Sequence, residues 1–129
     1  MTVALEQVCI DAHDPERIAR FWAEVLDYEI IYDSDKDPEN DSPEREIELS
    51  STNGSGTNLL FLQNNDQKNV KNRLHFDLRP DDQDAEVERV LALGARKVDI
   101  GQGQPSWVVL ADPEGNEFCI LSAKKPSED

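Results

Sequence analysis

The stretch NRLHFDLR, residues 72–79, alternates with a period of two: Leu74, Phe76 and Leu78 fall on one side and Arg73, His75, Asp77 and Arg79 on the other. That is the pattern of a β-strand with one apolar and one polar face. A row of polar side chains on a sheet must meet water, another polar group or a ligand. This strand therefore separates a core from a surface on which function is to be sought.

Three further segments use the same device. In EQVCID, Val8 and Ile10 alternate with Gln7, Cys9 and Asp11, and in GNEFCIL, Phe118 and Ile120 alternate with Glu117, Cys119 and Leu121. In NLLFLQ the same alternation is read with Leu60 and Leu62 on the core side and Leu59, Phe61 and Gln63 on the other. With helices covering the apolar sets, the opposite surface collects Gln7, Cys9, Phe61, Gln63, His75, Asp77, Glu117 and Cys119.

A chain of 129 residues, 37% hydrophobic and 32% charged, has the size and balance of one globular domain with its own core. No apolar run approaches the roughly 18 residues of a membrane span, and MTVALEQVCID lacks the basic and apolar regions of a signal peptide. A cytoplasmic protein without a membrane partner is expected. The net charge of -15, from 28 acidic and 13 basic residues, repels phosphate backbones and speaks against nucleic acid. The two cysteines are too far apart in sequence for a zinc ribbon or a redox CxxC motif, and read as small buried or half-buried thiols.

Taken in order, a strand over residues 3–11 precedes a helix with Asp14 as cap, Pro15 at its first position and an apolar face of Ile18, Phe21, Trp22 and Val25, ending at Asp27. A short strand over 29–32 follows. The acidic loop DSDKDPENDSPE, residues 33–44, imitates a calcium-binding EF-hand loop, but Pro38 stands where the bend needs glycine, and it reads as an exposed loop. Strands over 45–51 and 57–64 are joined by a glycine-rich turn. Residues 65–71 form a polar link.

The pattern then begins again, with the strand at 72–79, an Asp81/Asp82 cap, and a helix whose inner face carries Val87, Val90 and Leu91 and which stops at Gly94. Strands over 96–100, 106–111 and 117–122 complete it, and the tail from 124 to 129 reads as disordered. Trp107 alternates with Val109 and is expected on a pocket wall. His13, before the first helix, is expected to be exposed. The sequence thus predicts an α+β fold of two βαβββ modules, about 1–65 and 72–123, building an eight-stranded curved mixed sheet with helices outside and a polar concavity inside.

In EQVCIDAHDPERIARFWAEVLDYEI, KNRLHFDLRP, the helix ending ALGA and WVVLADPEGNEFCIL, the chain resembles the vicinal oxygen chelate superfamily, and within it glyoxalase-like and bleomycin-resistance-like proteins. The resemblance covers nearly the whole chain. It implies this fold, commonly as a homodimer, but not one activity, since the superfamily includes isomerases, lyases, dioxygenases, thiol transferases and metal-free drug-binding proteins. In catalytic members a divalent metal is held at places that match Gln7, Phe61, His75 and Cys119 here. Phe61 cannot ligate a metal and Cys119 puts a soft thiolate where a carboxylate is usual.

The expectation is therefore a small-molecule-binding protein without a catalytic metal or other cofactor. Trp107 and Phe61 would give apolar contact, and Gln7, His75, Asp77 and Glu117 orientation, with Cys9 and Cys119 on the same face. The alternatives are a metal-dependent or His75-assisted enzyme of the same fold, and a zinc site made by Cys9, His75 and Cys119.

Overall fold

The computed structural model describes residues 3–103 and 105–123. The expected tail at 124–129 lies outside them. The chain divides into two compact units, the first ending at Gln67 and the second beginning at Lys68.

In the first unit, β1 (Gln7–Ala12) leads into α1 (Pro15–Leu26), followed by β2 (Tyr28–Asp33), a 3-10 turn (Ser34–Lys36), β3 (Glu46–Ser51) and β4 (Asn58–Gln63). The helix starts where the sequence signals it. The Asp14 carboxylate accepts the Arg17 backbone N–H and Pro15 fills the first turn. It stops at Asp27, which takes the left-handed conformation (φ 56°) and returns its N–H to the Ala23 carbonyl, a place where Asp is one of the few tolerated non-glycine residues. The strand order is β1-β4-β3-β2, with β1 parallel to β4 and the other pairs antiparallel.

Asp33 at the end of β2 and Asp37 in the loop that follows it are taken up by local structure. The Asp33 carboxylate accepts Arg45 Nη2 at 2.7 Å and Nε at 3.1 Å, and Arg45 Nη1 also reaches Glu16 on α1 at 2.9 Å. Asp37 accepts the Tyr32 hydroxyl at 2.9 Å. Arg45 thereby clamps the start of β3 to β2 and α1.

Register corrects one face assignment. Residues paired across strands share a face, and β1 pairs Val8 with Leu59, Cys9 with Leu60 and Ile10 with Phe61. Phe61 also pairs with Ile47. Phe61 and Ile47 are fully buried, with Ile18 and Trp22 of α1 buried beside them in the same unit's core. Phe61 is therefore a core residue, not a companion of Gln7 and Cys9; Leu60 and Leu62, expected in the core, take that other face. With four consecutive apolar residues, the segment offers two equally apolar phases. The register with Val8 and Ile10 decides between them.

In the second unit, β5 (Phe76–Leu78), α2 (Gln83–Leu93), β6 (Arg96–Lys97), β7 (Val108–Ala111) and β8 (Glu117–Ile120) repeat the order as β5-β8-β7-β6, again with the first and last strands parallel. Asp82 caps α2 by accepting the Ala85 N–H, and Gly94 ends it at φ 121°, a conformation that side chains strain. Leu110, Phe118 and Ile120 are buried with Val87 and Val90 of α2. The opening strand is shorter than expected, and Leu74, outside it, is 83% exposed, so it contributes nothing to the core. Among the described residues no helix is long and apolar enough to cross a membrane.

The corrected register is testable. Phe61→Ala should destabilise the protein by about 3–5 kcal/mol, whereas Leu60→Ser should cost about 1 kcal/mol. Urea unfolding of both variants checks this; equal losses would contradict the face assignment.

Candidate functional site

The polar face of the second sheet is built by three strands in register. Asp77 on β5 stands opposite Cys119 on β8, which stands opposite Val109 on β7. Side chains two residues away along each strand share that face, which adds His75, Trp107, Glu117 and Leu121. With Lys71, Ile100 and Gln102 they line a cavity of about 320 Å³. Its walls are apolar at Ile100, Trp107, Val109 and Leu121. Its polar groups are Asp77 on β5 with His75 just before it, Glu117 and Cys119 on β8, and Lys71 and Gln102 outside the strands.

His75 Nε2 lies 3.2 Å from Asp77 Oδ1, and both side chains are about half exposed. Cys119 is buried. Burial, followed by the charge of the nearby Asp77 carboxylate, pushes the Cys119 thiol above its ordinary pKa, so the thiol is the resting form. Asp77 thus stands 3.2 Å from an imidazole and across the strand pair from a thiol.

Glu117 closes one end. Burial raises its pKa, but the Lys68 ammonium at 2.7 Å and the Asn72 N–H at 2.9 Å outweigh that, and the carboxyl is held below its ordinary value. The DPEGN turn explains why Glu117 arrives there. Buried Asp112 accepts the backbone N–H groups of Glu114 and Asn116 through Oδ1, and the Asn116 side chain accepts from Asn72 Nδ2 at 2.8 Å. The turn and Glu117 together fasten residues 68–72 to β8, just ahead of His75.

Of the residues singled out from sequence, His75, Asp77, Trp107, Glu117 and Cys119 line this cavity. Gln7 and Cys9 lie on β1 of the first unit, where Gln7 Nε2 is 3.9 Å from the exposed Cys9 sulfur. Phe61 lies in that unit's core. His13 is exposed and contacts the Asp66 carbonyl at 2.7 Å. Lys71, Ile100 and Gln102 join the cavity without a signal in the sequence pattern. Lys71 sits in what reads as a polar link and Gln102 in a loop without periodicity, whereas Ile100 closes the strand expected over 96–100; β6 stops at Lys97, and beyond it Gln102 accepts the Ile100 N–H and donates to the Val98 carbonyl.

Residues 7–121 match the model of the glyoxalase-like domain, so the chain belongs to that family. The family and the solved neighbours place it in the vicinal oxygen chelate superfamily. The fosfomycin resistance protein FosX from Mesorhizobium loti is similar at 22% identity, covering 99% of this chain and 97% of its own, with a TM-score of 0.72. A mutant of FosX from Listeria monocytogenes, complexed with Mn(II) and 1S,2S-dihydroxypropylphosphonic acid, shares 18% identity over 96% of this chain and 95% of its own, with a TM-score of 0.70. The trypanothione-dependent glyoxalase I of Leishmania major shares 16% over 95% and 88%, with a TM-score of 0.67. At these identities the likeness concerns the fold. No curated protein sequence matches the chain.

The metal that this fold implies can be tested against the donors present. The motif-matched places Gln7, Phe61, His75 and Cys119 do not make a hard-ion set, because Phe61 has no donor atom and is buried in the core. A different trio in the second unit, His75, Asp77 and Cys119, brings one nitrogen, one oxygen and one sulfur within 4.8 Å of one another. That mixture suits a borderline ion, which when bound would polarise an oxygen of a pocket ligand.

Glu117 makes a pH prediction. Its folded pKa is below the unfolded value of about 4.3, so its contribution is present above that pH and is lost as pH falls through the lowered folded value. Glu117→Gln should cost about 1–3 kcal/mol at pH 7, with the gap to the parent closing as the pH falls below about 4. Chemical denaturation across pH 3–7 measures it; a pH-independent gap would contradict the ion pair.

Proposed function

We propose that the protein binds a small organic molecule in the second unit's sheet pocket. The observation that carries this is the cavity itself: about 320 Å³, near the lower end of ligand pockets, with a half-exposed tryptophan on one wall and convergent polar groups on the other. Trp107, Ile100, Val109 and Leu121 supply apolar contact. His75 offers a hydrogen bond or proton, Lys71 a positive charge, and Asp77 and Glu117 acceptors, so a ligand with an apolar body and a polar end fits best. A FosX of the same fold is complexed with 1S,2S-dihydroxypropylphosphonic acid, which supports the reading without naming the ligand.

The two tryptophans make the test specific, because Trp22 is 1% exposed in the first unit's core and Trp107 is 42% exposed in the pocket. Metabolites and antibiotics are screened by thermal shift, with chelator and with added divalent ions. A ligand present at about 100 times its dissociation constant stabilises by about 2.7 kcal/mol. Such a ligand should also change the tryptophan emission, and Trp107→Phe should abolish that change. A stabilising ligand that leaves Trp107 emission untouched would place binding elsewhere and overturn the proposal.

A second reading, an enzyme of the same superfamily with His75 as metal ligand or general acid–base, is favoured by the 3.2 Å His75–Asp77 pair at the pocket wall. Stabilisation seen only with added ions would favour it. A homodimer is also proposed; the charge of -15 opposes it and salt should relieve it. Light scattering at high salt should give twice the chain mass, and a monomer mass at high protein concentration would refute pairing.

A further inference from the structure

Position 119 lacks the carboxylate that the superfamily's catalytic pattern implies there, yet a carboxylate stands directly across the strand pair. Asp77 is the register partner of Cys119, and His75 is two residues before it on the same face. The three donor atoms lie within 4.8 Å of one another, with His75 Nε2 and Asp77 Oδ1 already 3.2 Å apart. Ligands of one tetrahedral zinc, at bonds of 2.0–2.3 Å, are separated by roughly 3.3–3.6 Å. Side-chain rotations of about an ångström close the set, and the half-exposed His75 and Asp77 have room to make them. Cys119, fixed in the middle of the sheet between β5 and β7, is the rigid member.

We propose that His75, Asp77 and Cys119 form a thiolate-containing site selective for borderline divalent ions of the zinc and cobalt(II) type over hard ions such as manganese(II) and magnesium. One soft sulfur and one imidazole outweigh a single oxygen donor in setting that preference. Binding replaces the thiol proton, which leaves to solvent, by a sulfur–metal bond, with no change of oxidation state. Three protein ligands leave a fourth position for water or for an oxygen of a pocket ligand. Asp77 thereby acquires a ligand's role that the motif-matched positions do not assign to it. The site stands apart from the small-molecule proposal, since it is tested with the ion alone.

Cobalt(II) is titrated into the full chain after chelator dialysis, with a phosphine reductant, and followed by absorption. Saturation at about one ion per chain is expected, with a sulfur-to-cobalt charge-transfer band that zinc displaces and equal manganese(II) does not. Cys119→Ser should remove the band, Cys9→Ser should keep it, and Asp77→Asn should weaken cobalt binding by more than about tenfold. Melting curves establish that each variant folds; should Cys119→Ser not fold, Asp77→Asn, altered at an exposed side chain, decides. Absence of saturable binding, a band that survives Cys119→Ser or vanishes in Cys9→Ser, equal displacement by manganese(II), or unchanged affinity in Asp77→Asn would each overturn the proposal.

Discussion

The pocket depends on one constraint, the register in which β5 lies beside β8. Pairing Phe76 with Phe118 and Asp77 with Cys119 turns the apolar set to the core under α2 and the donors to the cavity. A slip of one residue exchanges the faces completely. It would drive the Asp77 carboxylate among Phe118, Ile120 and Leu110 and turn Phe76 outward, costing several kcal/mol for the buried charge alone. The hydrophobic core thus fixes the chemistry on the opposite side.

Hydrogen bonds at the ends of β8 hold that register. Asp112 organises the turn from β7, Asn116 and Glu117 capture Asn72, and Lys68 neutralises Glu117. After β8, the Leu121 N–H reaches the Leu78 carbonyl at 2.8 Å, and Arg79 Nη1 reaches the Ser122 carbonyl at 2.6 Å. The short strand β5 is therefore anchored on both sides. The same turn is one of the stretches by which the chain resembles its superfamily, and its role here is mechanical: it delivers Glu117 and Cys119 to the pocket face at a set depth.

Much of this is legible in the sequence because the signals are local. Asp14-Pro15 and Asp82 cap helices where capping chemistry demands, Gly94 ends one, and the alternation around His75 and Cys119 assigns both to a single face. Phe61 is assigned to the wrong face by alternation alone because NLLFLQ is apolar in both phases, so only its partners Ile10 and Ile47 select one. Leu74 falls outside the core because the alternation continues past the point where β8 can pair with it. Lys71, Ile100 and Gln102 reach the cavity through loops whose path is set by individual hydrogen bonds, and no periodicity encodes those. Asp77 is visible as a polar neighbour of His75, but its nearness to Cys119 is a product of parallel pairing between segments far apart in the chain.

The register is open to direct observation by nuclear Overhauser contacts between β5 and β8 in the labelled protein. The account predicts side-chain contacts of Phe76 with Phe118 and of Asp77 with Cys119, with Trp107 and Val109 on the Cys119 side. Contacts displaced by one residue, joining Asp77 to Phe118 or Phe76 to Cys119, would contradict it.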